Sequence, residues 1–205
     1  MPAPTVMLLL AHPRPGSFNH ALADRVAGAL TSSGARVLAH DLHAEGFDPL
    51  ARAAEAHTSG PAAAAVRDRS EDPLLRRHRE ELGEAEALVV VHPSWWGKPP
   101  AILAGWLDRV LVPGVVYRLD DAGGEPVPLV TLRRMLVVNT SDTPAEREAA
   151  AFGDPLEAIW RRCVAPYVGS PETERLVLRV VSGAGAEQRA RWLDDAEAAA
   201  RHLLT

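Results

Sequence analysis

The stretch Thr5-Val6-Met7-Leu8-Leu9-Leu10, followed by Ala11-His12-Pro13-Arg14-Pro15-Gly16-Ser17-Phe18-Asn19, decides how the rest of the chain is read. A β-branched and apolar run without alternation suits a strand buried on both faces, as in a parallel sheet covered by helices. Two prolines and a glycine then break the run. Ser17 or Asn19 can cap a helix whose buried stripe is Phe18, Leu22, Val26, Ala29 and Leu30, and Gly34 supplies its stop. Strand, polar loop and helix in succession are the repeating unit of an α/β fold.

Working outward, similar short apolar runs at 36–40, 87–91, 134–138 and 176–181 predict four more strands with two buried faces. Helical spacing recurs between and after them: Ile102, Leu103, Trp106, Leu107, Val110 and Leu111; then Leu156, Ile159, Trp160 and Cys163; then Trp192, Leu193, Ala196, Ala199, Ala200 and Leu203. The expectation is one domain over residues 1–205, an α/β doubly wound parallel sheet with helices on both sides. Two segments escape the alternation. The Ala-rich residues 42–70 read as a long connection, and residues 113–133, with Asp120-Asp121-Ala122-Gly123-Gly124 at their centre, read as a hairpin.

Composition narrows the classes. The chain has 205 residues, 47% apolar and 24% charged, an ordinary balance for a soluble globular protein. No apolar run is long enough to span a bilayer. Met1-Pro2-Ala3-Pro4-Thr5 lacks a basic n-region and reads as the approach to a strand rather than a signal peptide. A single cysteine, Cys163, leaves no intrachain disulfide and no cysteine zinc site, so a cytoplasmic location is expected, with Cys163 facing the core. The net charge of −5 argues against a nucleic-acid partner. His40, His43, His57, His78, His92 and His202 show no paired-ligand spacing, and no metal is expected. Arg76, Arg77, Arg79, Glu80 and Glu81 read as a solvated helix face.

In an open α/β sheet, ligands bind beyond the carboxyl ends of the strands, at the switch point in strand order. Three loops qualify. Residues 12–19 lack the glycine signatures of dinucleotide or nucleotide loops, yet they put an arginine and a helix N-terminus where a phosphate could sit; a plain N-cap is the alternative. Residues 93–99 hold Trp95 and Trp96 among prolines and a glycine, which suits a rigid slot for a flat ligand; the alternative is that one Trp is core and the other covers a helix. Residues 139–148 begin with the short polar groups Asn139-Thr140-Ser141-Asp142, fit for a ligand's polar edge or for capping the next helix.

Taken together, Ala11-His12-Pro13 with Ser17-Phe18-Asn19, Asp41-Leu42-His43 with Phe47-Asp48-Pro49, Pro93-Ser94-Trp95-Trp96-Gly97, and Pro100-Ala101-Ile102-Leu103 with Gly105-Trp106 and Asp108-Arg109-Val110 resemble the flavodoxin-like NAD(P)H:quinone oxidoreductases. Pro113-Gly114 and Tyr117 continue the match, which covers residues 5 to about 200 and is weakest over 50–85. The resemblance implies a three-layer flavodoxin-like sheet of five parallel strands in order 2-1-3-4-5, a homodimer, and a tightly held flavin. It implies that His12, Ser17, Phe18 and Asn19 hold the flavin phosphate, and Arg14, the arginine of the same loop, is expected to join them. Pro93, Ser94, Trp95, Trp96 and Gly97 would then follow the ring edge, with Asn139, Thr140, Ser141 and Asp142 as further flavin contacts. Trp96 and Tyr117 are the expected catalytic residues, Tyr117 reaching the neighbouring subunit's substrate pocket.

The chain departs from the mammalian members, which have Thr-Thr-Gly-Gly at Asn139-Thr140-Ser141-Asp142 and a tyrosine and histidine with no counterpart after Asp142. It also ends without their additional C-terminal domain, which favours FMN, with FAD the alternative. The activity implied is two-electron hydride reduction of a quinone or similar flat acceptor by NAD(P)H, in ping-pong fashion. A flavodoxin-like electron carrier and an ancillary subunit of a potassium-efflux system are the competing expectations.

Overall fold

The computed structural model describes residues 3–55, 71–119 and 124–205. The strands, in chain order, are β1 (Thr5–Leu10), β2 (Arg36–Asp41), β3 (Ala87–Pro93), β4 (Tyr117–Arg118), β5 (Val127–Pro128), β6 (Arg134–Ser141) and β7 (Glu172–Arg179). β4 and β5 pair antiparallel as a short ribbon, and the other five form one parallel sheet in order β2-β1-β3-β6-β7. Counting sheet strands alone, this is the expected 2-1-3-4-5. The hairpin therefore exists, while its central residues 120–123 lie outside the described residues, as do residues 56–70 of the Ala-rich connection and His57.

Alternating residues of each central strand feed two separate cores. Met7, Leu9, Leu88, Val90, Met135 and Val137 face α2 (Pro73–Glu84), α3 (Ala101–Val110) and the segment around Leu156 and Trp160. Val6, Leu8, Val89, Val91, Leu136 and Val138 face α1 (Phe18–Ser32) and α6 (Ala186–His202). Because α1 lies on one side and α3 on the other, the loops after β1 and β3 part company at the sheet's switch point and leave a crevice.

Helix ends follow the local sequence. Ser17 caps α1, accepting from the His20 N–H. At its other end Gly34, at φ +87°, lets the N–H groups of Gly34 and Ala35 bond back to Thr31 and Leu30, a Schellman arrangement that needs a left-handed residue. Asp72 caps α2 through the Leu74 and Leu75 N–H groups, with Pro73 in the first turn.

Four expectations are corrected. β2 and β7 are edge strands and are partly exposed, because each has only one neighbour and less helix cover. β7 begins at Glu172, four residues earlier than the apolar run, since an exposed edge tolerates Glu172, Glu174 and Arg175; it ends at Arg179 because Val180 turns left-handed at φ +59°. Cys163 is exposed. After α4 (Ala145–Ala151) and α5 (Pro155–Ala158), residues Ile159–Val164 form a π turn, whose extra residue per turn buries Leu156, Trp160 and Val164 and rotates Cys163 outward. Finally, α2 is no solvated face at Arg79 or Glu81. Arg79 is buried and donates to the Arg109 carbonyl, and Glu81 bonds His40.

Candidate functional site

The three loops meet. A cleft of about 520 Å³ is lined by His12, Arg14, Ser17, Phe18 and Asn19 from the first loop, Pro93, Ser94, Trp95 and Trp96 from the second, and Thr140, Ser141 and Asp142 from the loop after β6. Gly97, Asn139 and Tyr117 do not line it.

At the first loop, the opening N–H groups of α1 have no intrahelical acceptor and carry the positive end of the helix dipole. Arg14 stands exposed beside them. The Arg14 N–H donates to His12 Nδ1 at 3.2 Å, so the His12 proton sits on Nε2. Burial, foremost, holds the His12 pKa below its ordinary value, with His20, Arg14 and His43 adding to the effect, so its ring is neutral near pH 7. The Asn19 side chain is spent inward, exchanging hydrogen bonds with the Thr140 hydroxyl at 3.0 and 3.2 Å and so tying the first loop to the third.

At the second loop, Trp95 and Lys98 exchange backbone hydrogen bonds, each at 3.1 Å. Trp96 and Gly97 occupy the two central positions at φ +57° and +69°, the backbone of a type I′ turn. Glycine accepts this conformation freely; a tryptophan is strained in it, and such strain gathers at functional positions. The turn leaves the Trp96 side chain 97% exposed and Trp95 41% exposed, so neither is a core residue. Gly97 lies under the turn, where a Cβ would come within 3.2 Å of Pro155 and 3.5 Å of Phe152. Phe152, itself exposed, thus flanks the aromatic turn.

Asn139 sits behind the cleft in a buried polar chain whose polarity is forced. Arg175, a donor only, gives its Nε–H to Asn139 Oδ1 at 2.7 Å, and its Nη1 is paired with Asp154 at 2.6 Å and Glu157 at 3.1 Å. The Asn139 amide nitrogen must then donate to His92 Nε2 at 2.7 Å, which puts the His92 proton on Nδ1, donated to the Pro93 carbonyl at 2.9 Å. Burial pushes the His92 pKa down to about 4, and the neutral ring is the form this chain requires. The Ser94 N–H is held in turn by the Thr140 carbonyl at 2.7 Å. The entrance to the Trp95–Trp96 turn is therefore fixed from below.

Thr143, Val181, Ser182 and Arg189, which no sequence motif marks, also line the cleft. The loop after β7 obeys the same rule as the other three, but the strand was expected to run through Val181, which hid it. Asp142 accepts from the Ser182 N–H at 2.7 Å and draws that loop in. Arg189 donates to the Ala184 and Val181 carbonyls at 3.1 and 2.9 Å and lies over the Phe18 ring, leaving Nη1 as a second cationic donor on this side.

Tyr117 lies elsewhere. It is buried against Tyr167, edge-on at 4.6 Å, and lines a separate cavity of about 530 Å³ with Leu107, Leu111, Val112 and Cys163. Burial raises its phenol pKa. Val116 and Tyr117 are covered within the chain itself, so they do not call for a second copy to cover them. A histidine cluster also forms that linear spacing concealed. Ligand-type atoms of His40, Glu45 and His78 lie within 4.8 Å of one another. Those atoms are engaged in hydrogen bonds: Trp106 donates to His78 Nδ1 at 2.9 Å, so His78 Nε2 carries the proton and gives it to Glu45 at 3.1 Å, while His40 spans Glu45 and Glu81. Burial, with His40 second, lowers the His78 pKa to about 4.

A doubly wound sheet with a cationic helix N-terminus, an aromatic turn and a polar loop around one switch-point crevice defines a protein of the flavodoxin-like class. The chain belongs to the family described as having a flavodoxin-like fold, whose model matches residues 4–204. It is 30% identical over 130 residues to an uncharacterized NAD(P)H oxidoreductase of Haemophilus influenzae, covering 63% of this chain and 60% of that protein. An NAD(P)H:quinone oxidoreductase from Methanothermobacter marburgensis shares the fold at TM-score 0.74 and 21% identity, over 99% of this chain and 98% of that one. So does an FMN-dependent NADH-azoreductase of Bacillus anthracis in complex with FMN, at TM-score 0.68 and 12% identity, over 99% and 100%. The chain spans between 44% and 60% of the length of the first curated relatives it matches.

Proposed function

We propose that the chain is a flavin-dependent oxidoreductase that takes a hydride equivalent from NAD(P)H and passes two electrons to a quinone or another flat acceptor, in turn, through one slot. The observation that carries this reading is the convergence in one cleft of three different surfaces, each suited to one part of FMN. Ser17, the first N–H groups of α1 and the guanidinium groups of Arg14 and Arg189 suit a phosphate. The Trp95–Trp96 turn suits a flat ring, and Thr140, Ser141 and Asp142 suit its polar edge. The relatives named for NAD(P)H and quinone, and the neighbour holding FMN, support the same assignment.

When bound, FMN supplies the hydride-accepting ring system. The protein's part is orientation and exclusion of water. The Arg175–Asn139–His92 chain holds the Pro93 carbonyl and with it the turn that presents Trp96 to the substrate side. The Ser141 hydroxyl, which accepts the Thr143 N–H and keeps its own proton, would donate to charge on the ring's polar edge, while Thr140, bonded to Asn19, holds the loop in place. Tyr117 belongs to this reading only as a contribution to a second copy's slot. In such a homodimer, the exposed Leu119 and Leu129 on the β4–β5 ribbon would be covered. We also propose a cytoplasmic location, which the single cysteine supports. None of the described helices is long and apolar enough to cross a membrane.

Purified protein loaded with FMN and desalted should keep a visible flavin band. Anaerobic NADPH or NADH should bleach it, and a quinone should restore it. A band that neither nucleotide bleaches would favour the electron-carrier reading, and no retained flavin, FAD included, would overturn the assignment. Activity that changes on adding a potassium-efflux protein would favour the ancillary-subunit reading.

A further inference from the structure

His20 and Asp41 have no part in the function proposed above, yet they stand directly behind its phosphate end. The Ser17 hydroxyl is 2.8 Å from His20 Nδ1, and His20 Nε2 is 3.1 Å from Asp41 Oδ2. The three come from the cap of α1, its first turn, and the last residue of β2. Asp41 is fixed from its other oxygen, which accepts the His43 and Ala44 N–H groups at 3.0 and 3.1 Å. Ser17 is buried, while the His20 and Asp41 side chains keep 19% and 26% exposure.

Proton positions follow from the donor inventory. The Asp41 carboxylate can only accept, so His20 Nε2 carries a proton. His20 Nδ1 then has two possible states. Unprotonated, it accepts the Ser17 proton, and the hydroxyl is spent inside the protein. Protonated, it donates to the Ser17 oxygen, which also accepts the His20 backbone N–H at 3.4 Å, and the hydroxyl proton is left to point into the cleft. An anion in the cleft selects the second state, because the imidazolium then lies between two negative groups. Other charged or titratable groups near this imidazole include His12, with ring centres 6.2 Å apart, Arg14 and His43 around His12, and Asp24 one turn further along α1. Although the trio shares its residue types with nucleophilic triads, the Ser17 oxygen is committed as a helix cap, and its proton is what it has left to give.

We propose that Asp41 and His20 are positioning residues that turn the Ser17 hydroxyl into a donor to a phosphate monoester, so that the cleft's preference for FMN over riboflavin passes through this relay. The inference rests on the flavin reading above and deepens it. Selection of the second state by a phosphate adds a proton at His20 Nδ1 on binding FMN, and binding of riboflavin, which has no phosphate, does not.

The test measures dissociation constants of FMN and riboflavin by quenching of flavin fluorescence, and proton uptake by calorimetry in buffers of different ionisation enthalpy. The proteins are the wild type, His20→Phe and Asp41→Asn. Losing a charge-assisted hydrogen bond to phosphate should weaken FMN binding by about tenfold or more in His20→Phe while riboflavin binding stays within about twofold. Proton uptake with FMN should be smaller in both variants than in the wild type. Asp41→Asn, which keeps size and shape, serves should His20→Phe fail to fold. Equal weakening of both ligands, no change in either, or proton uptake in Asp41→Asn equal to that of the wild type would overturn the relay while leaving the flavin reading intact. A wild type that binds neither ligand would overturn both together.

Discussion

His92 gives the sharpest test of the chain beneath the cleft. Buried and neutral, it has a pKa pushed down to about 4, against 6.5 in an unfolded chain. One pKa unit corresponds to about 1.4 kcal/mol, so the whole difference amounts to roughly 3.4 kcal/mol. The sign follows from which state holds the proton. Below pH 6.5 the unfolded chain takes it up and the folded one does not, so stability is full above about 6.5 and is lost as pH falls toward about 4. Between pH 7 and pH 5 this one residue should account for a loss of about 2 kcal/mol. His92→Gln retains an acceptor for Asn139 and a donor for the Pro93 carbonyl but does not titrate. Urea unfolding followed by tryptophan fluorescence at the two pH values should therefore show the wild type losing about 2 kcal/mol more than the variant. Equal losses would mean that His92 is protonated in the folded protein, and the polarity assigned to the Arg175–Asn139–His92 chain would be wrong. That chain cannot accept a second proton quietly. A protonated Nε2 would face the Asn139 amide donor, and turning the amide over would take Oδ1 away from Arg175.

Three further outcomes are expected. Trp96→Ala should raise the acceptor KM about tenfold and leave flavin content unchanged, because the Trp96 ring is 97% exposed on its turn; a flavin content cut by half or more would count against its place on the substrate side. Gly105→Ala should cost about 3 kcal/mol and lower Tm by roughly 6 °C or more, since its Cβ would fall 2.2 Å from the Pro49 carbonyl oxygen, a backbone atom that cannot simply rotate away; a Tm within a degree of wild type would refute the contact. Arg109→Met should cost roughly 3–5 kcal/mol, as it takes the guanidinium from the buried Glu55 carboxylate it grips at 2.6 and 2.7 Å. Adding Glu55→Met should recover part of that loss, and an additive double mutant would show that the pair does not interact.

The central strands were legible because burial on two faces demands apolar residues at every position, and Thr5–Leu10 and Ala87–Val91 have them. The edge strands were less so: Glu172, Glu174 and Arg175 sit in β7 without forming an apolar run. The cleft loops could be found by their place after strands and by residues too costly to leave on an ordinary turn, such as adjacent tryptophans. A polar residue at a strand end, as Asn139 is, suggests a ligand contact; tertiary pairing with Arg175 and His92 turns it inward instead. The helical period puts Cys163 on the core face, but a periodicity of 3.6 does not survive a π turn, and the residue is exposed. Much of the motif that signalled the family proves to be a clamp remote from the cleft. Pro49 packs on Gly105, and Arg109 bonds the Asp48 carbonyl and lies 5.5 Å from the Phe47 ring centre.

The two polar chains that support the cleft both start on the sheet's edges, at Asp41 of β2 and Arg175 of β7. A physical reason stands behind that. The central strands meet apolar helix faces on both sides, where an unpaired polar group would cost a few kcal/mol. Edge strands keep one side open to water, so an aspartate or arginine can be held there and can reach inward along the strand ends. From one edge, Asp41 acts through His20 on the phosphate end of the cleft; from the other, Arg175 acts through Asn139 and His92 on the Trp95–Trp96 turn. Substitutions on β2 should therefore change affinity for the phosphate, and those on β7 the shape of the slot. Binding and substrate choice would then be adjustable separately within one cleft.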